Sequence, residues 1–304
     1  MVEYELKGLF NQNTLSTSDI SNNNNYNNQQ LFDHIIRGNA NSEMLTYLLN
    51  MNHQRLNDFK SMHQYNYGNF ASLMNSVEQY NEIENDETIL LPKPLRIKNK
   101  LQQVLKKRKS VRNYIGLSCD LRELSTILMY SFGISGRKEN FGGIVASMRY
   151  YASGGALYPI SVIIYINKVD GLKKGLYLYQ PMYHSLLPLN IKTQIDINKL
   201  FVGSNIDVKN SSFFVFYKYA ISSTYLKYGE LSLANILIEA GMMAQNFSLV
   251  TTACGFGSCP IAGYNKRFIE DICNLDHVNE HIIFTESCGR NGNCQIFCVN
   301  SSFS

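Results

Sequence analysis

The chain has 304 residues, of which 45 % are apolar and 17 % charged, with a net charge of +4. That is enough apolar chain for one large domain or two modest ones. The charge excess is too small to imply nucleic acid, although a local cluster of cations suffices for an anionic cofactor.

In chain order, Met1 to Phe10 lacks a basic region followed by an apolar run, so the reading is of a cytoplasmic protein with reduced thiols. Residues 11 to 30 are polar and Asn-rich, and bury little. Residues 31 to 90 alternate apolar and polar groups at helical spacing, which predicts a small helical region. Pro92 and Pro94 mark a boundary, giving an N-terminal extension, 1–90, and a second domain, 91–304. A basic helix is predicted over Ile97 to Lys109, and a second from near Asp120 to Phe132. A glycine-rich segment comes next, Gly133 to Gly155. Ile160 to Ile166 is β-branched and aromatic, as a strand should be. Leu176 to Tyr179 and Ser185 to Leu187 flank a turn and predict a hairpin. Phe213 to Tyr219 is a further strand. Leu231 to Ala253 is apolar but interrupted by Asn235, Glu239, Gln245 and Asn246, so it predicts a helix buried in protein, not a membrane span. Ile282 to Phe284 and Gln295 to Phe297 are the last predicted strands. Mixed helices with strands able to pair antiparallel make the class α+β. Among the seven cysteines, Cys288, Cys294 and Cys298 cluster, yet no CxxC occurs and no His follows at finger spacing. No metal site is expected, and the thiols read as buried small hydrophobes.

Four segments have the composition for chemistry. In Lys106 to Arg112 four cations precede Ser110 and Arg112 follows it. Guanidinium forks and a hydroxyl fit phosphate oxygens, although a solvated helix end fits the spacing as well. Ser153-Gly154-Gly155-Ala156, leading to Tyr158-Pro159, lets backbone approach a flat ring, or forms an ordinary tight turn. Gly255 to Gly263 contains G-x-G, but a helix precedes it and no third glycine follows on schedule, so a dinucleotide site is rejected. Gly255 also suits a helix stop. Lys227 and Tyr228, before the apolar helix, could be an acid/base pair or a surface turn.

Taken in order, these segments resemble the nitroreductase family, and more closely its SagB-type branch, the dehydrogenases of thiazole/oxazole-modified peptide (bacteriocin) biosynthesis. The resemblance runs from about Leu91 to about Arg290. It rests on Ser153 to Pro159, on Gly171-Leu172 with Gly175-Leu176-Tyr177, on Glu239-Ala240-Gly241 with Ala244-Gln245-Asn246, and on Gly255 to Gly263. It implies an α+β homodimer with a mainly antiparallel central sheet flanked by helices and with FMN at the subunit interface. Arg108, Lys109, Ser110 and Arg112 match the motif that holds the FMN phosphate, and Arg290 a late Arg that reaches it. Ser153, Gly154, Gly155 and Ala156 match the loop beside the isoalloxazine. Pro260, Ile261, Ala262 and Gly263 match the loop on the ring's other side. Lys227 and Tyr228 match the pair regarded as catalytic in the azole-forming branch. Met242, Ala262 and Tyr151-Ala152 depart from the family pattern, which touches the ring surroundings and the substrate pocket.

The activity so implied is FMN-dependent oxidation of peptide thiazolines or oxazolines to azoles, on a precursor peptide and beside a cyclodehydratase complex. Two other functions fit the same residues. One is an NAD(P)H-dependent flavin reductase acting on a small acceptor. The other is a non-catalytic scaffold of a peptide-modifying complex.

Overall fold

The computed structural model describes residue 47 and residues 82–141, 144–189, 195–202 and 205–292. The chain divides into two compact units, Met1–Arg55 and Leu56–Ser304, and the sheet with its helices belongs to the second. The Asn-rich stretch, most of the 31–90 region and Gln295 to Phe297 lie outside the described residues.

A seven-stranded sheet forms the centre. Its strands are β1 (Ile89–Leu90), β4 (Ile160–Ile166), β5 (Gly175–Gln180), β6 (Ser185–Pro188), β7 (Phe213–Ala220), β8 (Phe256–Ile261) and β9 (Glu280–Arg290), in the order β1-β6-β5-β4-β7-β9-β8. Every pairing within it is antiparallel. The helices are α1 (Leu101–Lys107), α2 (Leu121–Phe132), the single turn α3 (Tyr225–Tyr228), α4 (Leu231–Ala253) and α5 (Lys266–Ile272). This is the α+β, antiparallel, helix-flanked arrangement expected from the sequence.

The central strands carry unbroken apolar runs because both sheet faces are covered. On β4, Val162, Ile164 and Ile166 enter the core shared with Leu124, Ile127 and Leu128 of α2 and Met243 and Phe247 of α4. Ile163 and Tyr165 turn to the other face and meet Leu200, Phe214 and Ile269. α2 starts where the sequence places it, because Asp120 and Glu123 close a capping box: each side chain accepts the other's backbone N–H.

Three local expectations are corrected, and one segment left open by the sequence gains structure. The basic helix is shorter than 97–109, ending at Lys107, so Arg108 to Arg112 are extended chain. The glycine-rich 133–155 segment contains a two-stranded ribbon, β2 (Ile134–Phe141) with β3 (Ile144–Arg149). Residues 256–261 form edge strand β8, not loop. Pro260 is tolerated there because the edge leaves its missing N–H without a ladder partner to disappoint. Gly255, with φ +81, does stop α4 as expected. Last, α4 is only partly buried: Leu233, Leu237, Ile238 and Met242 are exposed along one flank.

Candidate functional site

The basic turn is anchored by backbone, leaving its side chains outward. Ser110 bridges Ser258 of β8, and the Val111 N–H donates to the Ser258 carbonyl at 2.9 Å. This close approach needs Gly257, where a Cβ would stand 2.5 Å from Val111. Lys109, Ser110 and Arg112 are exposed and Arg108 half-exposed. Among the described residues no ion-pair partner meets Arg108, Lys109 or Arg112. Burial raises the Cys259 thiol pKa and the Arg112 guanidinium opposes it, which sets Arg112 beside β8. Pro260 and Ile261 finish that strand, and Ala262 and Gly263 come after it, exposed, with the Gly263 carbonyl accepting from Val202 N–H. The basic turn and 260–263 therefore share one neighbourhood.

Arg290 is committed nearby. Its guanidinium pairs with Glu123 at 2.5 Å, donates to the Ser118 carbonyl at 3.3 Å and lies 4.6 Å from the Phe256 ring centroid.

The second cluster forms at the start of β4. Gly155 (φ +62), Ala156 (φ +55) and Tyr158 (φ +51) all adopt left-handed backbone, a costly geometry for the two that carry Cβ. The loop is tied at several points. Ser153 Oγ donates to Glu239 Oε2 at 2.6 Å and accepts from Tyr158 N–H at 2.9 Å. Tyr158 Oη accepts from Arg149 N–H at 3.1 Å. Against the loop stands α3. A Cβ on Gly155 would lie 2.5 Å from both Lys227 Nζ and Tyr228 Oη, so only glycine leaves that pair its place. Gly154 and Gly155 themselves are exposed. Lys227 Nζ lies 5.3 Å from the Tyr228 ring centroid.

Burial sets the electrostatics here. It lowers the Lys227 pKa towards a neutral amine. It raises that of Tyr228, with the Glu239 charge adding to the effect, so the phenol stays protonated. Glu239 is 2 % exposed, and burial pushes its pKa up to about 7 despite donation from Ser153 and the Gly154 N–H. Sequence reasoning passed over Glu239 as a site residue. The available signal was that it is the single charged residue in the 23-residue α4.

The structure thus brings the predicted residues together as two groups, not one. α4 measures the gap. Ser248 and Thr251 touch Ser258, beside the basic turn, while Glu239 holds Ser153. Glu239 to Thr251 is twelve residues of helix, about 18 Å of axis. The sheet gives the same answer. Ser258 pairs Cys288, Cys288 pairs Phe213, and Phe213 pairs Ile166, whereas Ser153 to Ala156 lead into Ile160 at the opposite end of β4.

A family model described as the nitroreductase family matches residues 105–290. A protein of Methanocaldococcus jannaschii, MJ1384, named as a nitroreductase, is 26 % identical over 176 residues, covering 58 % of this chain and 85 % of its own. The microcin B17-processing protein McbC of Escherichia coli is 27 % identical over 224 residues, covering 69 % of this chain and 81 % of its own. Among solved structures, a chain of the E. coli microcin synthetase McbBCD complex with truncated pro-MccB17 bound superposes with a TM-score of 0.52 at 23 % identity. That match covers 62 % of this chain and 70 % of the other. No helix among the described residues is long and apolar enough to cross a membrane.

Proposed function

Because the chain belongs to the nitroreductase family of oxidoreductases, we propose that it is an FMN-dependent dehydrogenase that oxidises thiazolines or oxazolines in a precursor peptide to the aromatic azoles. The observation that carries this reading is Lys227 and Tyr228 packed on Gly155, with an amine drawn towards neutrality beside a phenol held protonated. Aromatising an azoline removes one proton and one hydride, so a base must stand at the ring. The likeness to a microcin-processing protein supports a peptide substrate. A chain of the same fold occurs in the microcin synthetase McbBCD complex, and work beside a cyclodehydratase is part of the proposal.

The residues present fit FMN. Arg108, Lys109, Ser110 and Arg112 offer exposed donors suited to a phosphate. Arg290 adds to them only by exchanging its Glu123 partner. Gly154 and Gly155 expose backbone without Cβ, as a flat ring requires. Pro260 to Gly263 lie on the phosphate side and supply the ring's second face. The two groups of one chain lie apart along α4, with about 18 Å of helix axis between Glu239 and Thr251. That supports a homodimer in which each cofactor takes its phosphate grip from one copy and its ring loop from the other. The exposed stripe Leu233, Leu237, Ile238 and Met242 offers the apolar surface such a pairing needs.

When bound, FMN supplies the two-electron acceptor for the hydride. Lys227 would take the α-proton of the azoline, its burial favouring the neutral amine that this requires. Tyr228 keeps its proton and donates a hydrogen bond to the ring heteroatom, which polarises the C–H bonds to be broken. The Ser153–Ala156 loop, exposed and free of Cβ at Gly154 and Gly155, would let a flat ring lie against its backbone.

The test is to incubate the flavin-loaded chain with a thiazoline peptide and monitor loss of two mass units. Conversion with one flavin reduced per ring supports the proposal. No conversion, with fast flavin bleaching by NAD(P)H instead, replaces it with a flavin reductase. A chain that refuses FMN and still supports ring formation in its complex replaces it with a scaffold.

A further inference from the structure

Glu239 has the marks of a group kept for function. It is 2 % exposed, Oε2 is engaged, and Oε1 has no hydrogen-bond partner among the described residues. Leaving half a carboxylate unsatisfied in a core is costly, and helix α4 has no structural need of it. The carboxylate sits on the inner face of α4, below the strained loop and beside α3. The groups facing it are Ser153 and the Gly154 N–H from the loop, Tyr228 from α3, Tyr151 ahead of the loop, and Arg149 from β3.

We propose that Glu239 is a positioning residue whose ionised carboxylate latches the Ser153–Tyr158 loop in its left-handed form, and so sets where Lys227 and Tyr228 stand. The chain of contacts is direct. Glu239 fixes Ser153, and Ser153 Oγ fixes the Tyr158 N–H, which closes the turn that carries Gly155. Gly155 in turn is the floor on which Lys227 Nζ and Tyr228 Oη rest. A carboxylate accepts hydrogen bonds about twice as strongly as its neutral acid. The latch therefore tightens when Glu239 loses its proton and slackens when it gains one. Burial raises this acid to about pH 7, with the Ser153 and Gly154 donors and the Arg149 cation pulling the other way. The loop is thus in its working form above neutrality and loosened below it.

This inference rests on the assignment of Lys227 and Tyr228 above, and two measurements separate the fates of the two ideas. The first needs no cofactor: amide exchange at Gly154 and Tyr158 in the flavin-free chain, corrected for intrinsic rates, from pH 5.5 to 8.5. Protection is expected to rise through about pH 7. In Glu239→Gln it should stay at the low-pH level throughout. In Ser153→Ala, which removes one donor to the anion, the Gly154 transition should move up by about one pH unit. The second is kcat against pH for the loaded enzyme on a thiazoline peptide. A limb near pH 7 should vanish in Glu239→Gln, with kcat at pH 8 down about tenfold and KM little changed. A Glu239→Gln variant that keeps the wild-type transition in exchange overturns the latch, as does a Ser153→Ala variant whose transition does not move. Exchange behaving as described in a chain that oxidises no azoline leaves the latch standing and overturns only the azoline reading.

Discussion

The two halves of the site are built on opposite principles. The basic turn, Arg108 to Arg112, is pinned by main chain to β8 and carries exposed cations. The loop half, Ser153 to Ala156 with Lys227, Tyr228 and Glu239, combines a buried carboxylate, a half-buried amine and phenol with shifted pKa values, and strained backbone. A phosphate needs charge within reach, and flexible side chains in water provide it. Proton transfer needs an amine and a phenol held in the less common of their possible environments, and only burial provides that. On the proposed function, recognition is left to the exposed cations and chemistry to the half-buried pair.

The largest effect should come from the interior. Lys227→Ala with Tyr228→Phe is expected to cut azole formation about a thousandfold while leaving FMN absorbance at full occupancy. Loss of the flavin in this double variant would erase the division between the halves. Next comes pH. The folded chain holds the Glu239 proton up to about pH 7, whereas the unfolded chain releases it near 4.5. Stability from this group is whole below 4.5 and lost as pH rises to 7, by at most about 3 kcal/mol. Urea unfolding of Glu239→Gln should lack that decline and exceed wild type at pH 8. Equal slopes for the two proteins would place Glu239 in water.

The surface half should respond more mildly and differently. Arg112→Ala is expected to weaken FMN binding about tenfold, read by fluorescence titration, with kcat at saturating FMN unchanged. Wild-type affinity should also fall as salt rises. The smallest effect sharpens the contrast most. Gly155→Ala adds one methyl at φ +62, against the ends of two movable side chains. It should cost about 1 kcal/mol of stability and lower kcat about tenfold with FMN affinity retained. A drop in affinity alone would mean that the loop serves binding and not the positioning of Lys227 and Tyr228.

Much of the fold was legible because its signals are local. Asp120 and Glu123 announce a capping box, and Ile160 to Ile166 announce a strand whose bounds the structure keeps. The β2–β3 ribbon was not legible, since a glycine-rich segment carries no local strand signal and the pairing of Ile134 with Arg149 is a contact across fifteen positions. Residues 256–261 read as loop because Gly257 and Pro260 are poor strand formers. The reason they succeed, an edge position and the packing of Val111 on Gly257, lies elsewhere in the chain. For the same reason the sequence could name site residues by type but not sort them. That Lys227 touches Gly155, that Arg290 belongs to Glu123, and that Glu239 lies under Ser153 are facts of tertiary contact between residues 72, 167 and 86 positions apart.

The gap of about 18 Å along α4 between the two groups has a genetic corollary. If every cofactor is gripped by one copy and served by the other, an allele ruined in the basic turn and an allele ruined at Lys227 are inactive for unrelated reasons. In a cell expressing both, each mixed pair holds one site with both lesions and one with neither. With random pairing, about a quarter of all sites would be sound. Two strains that each fail alone would complement each other.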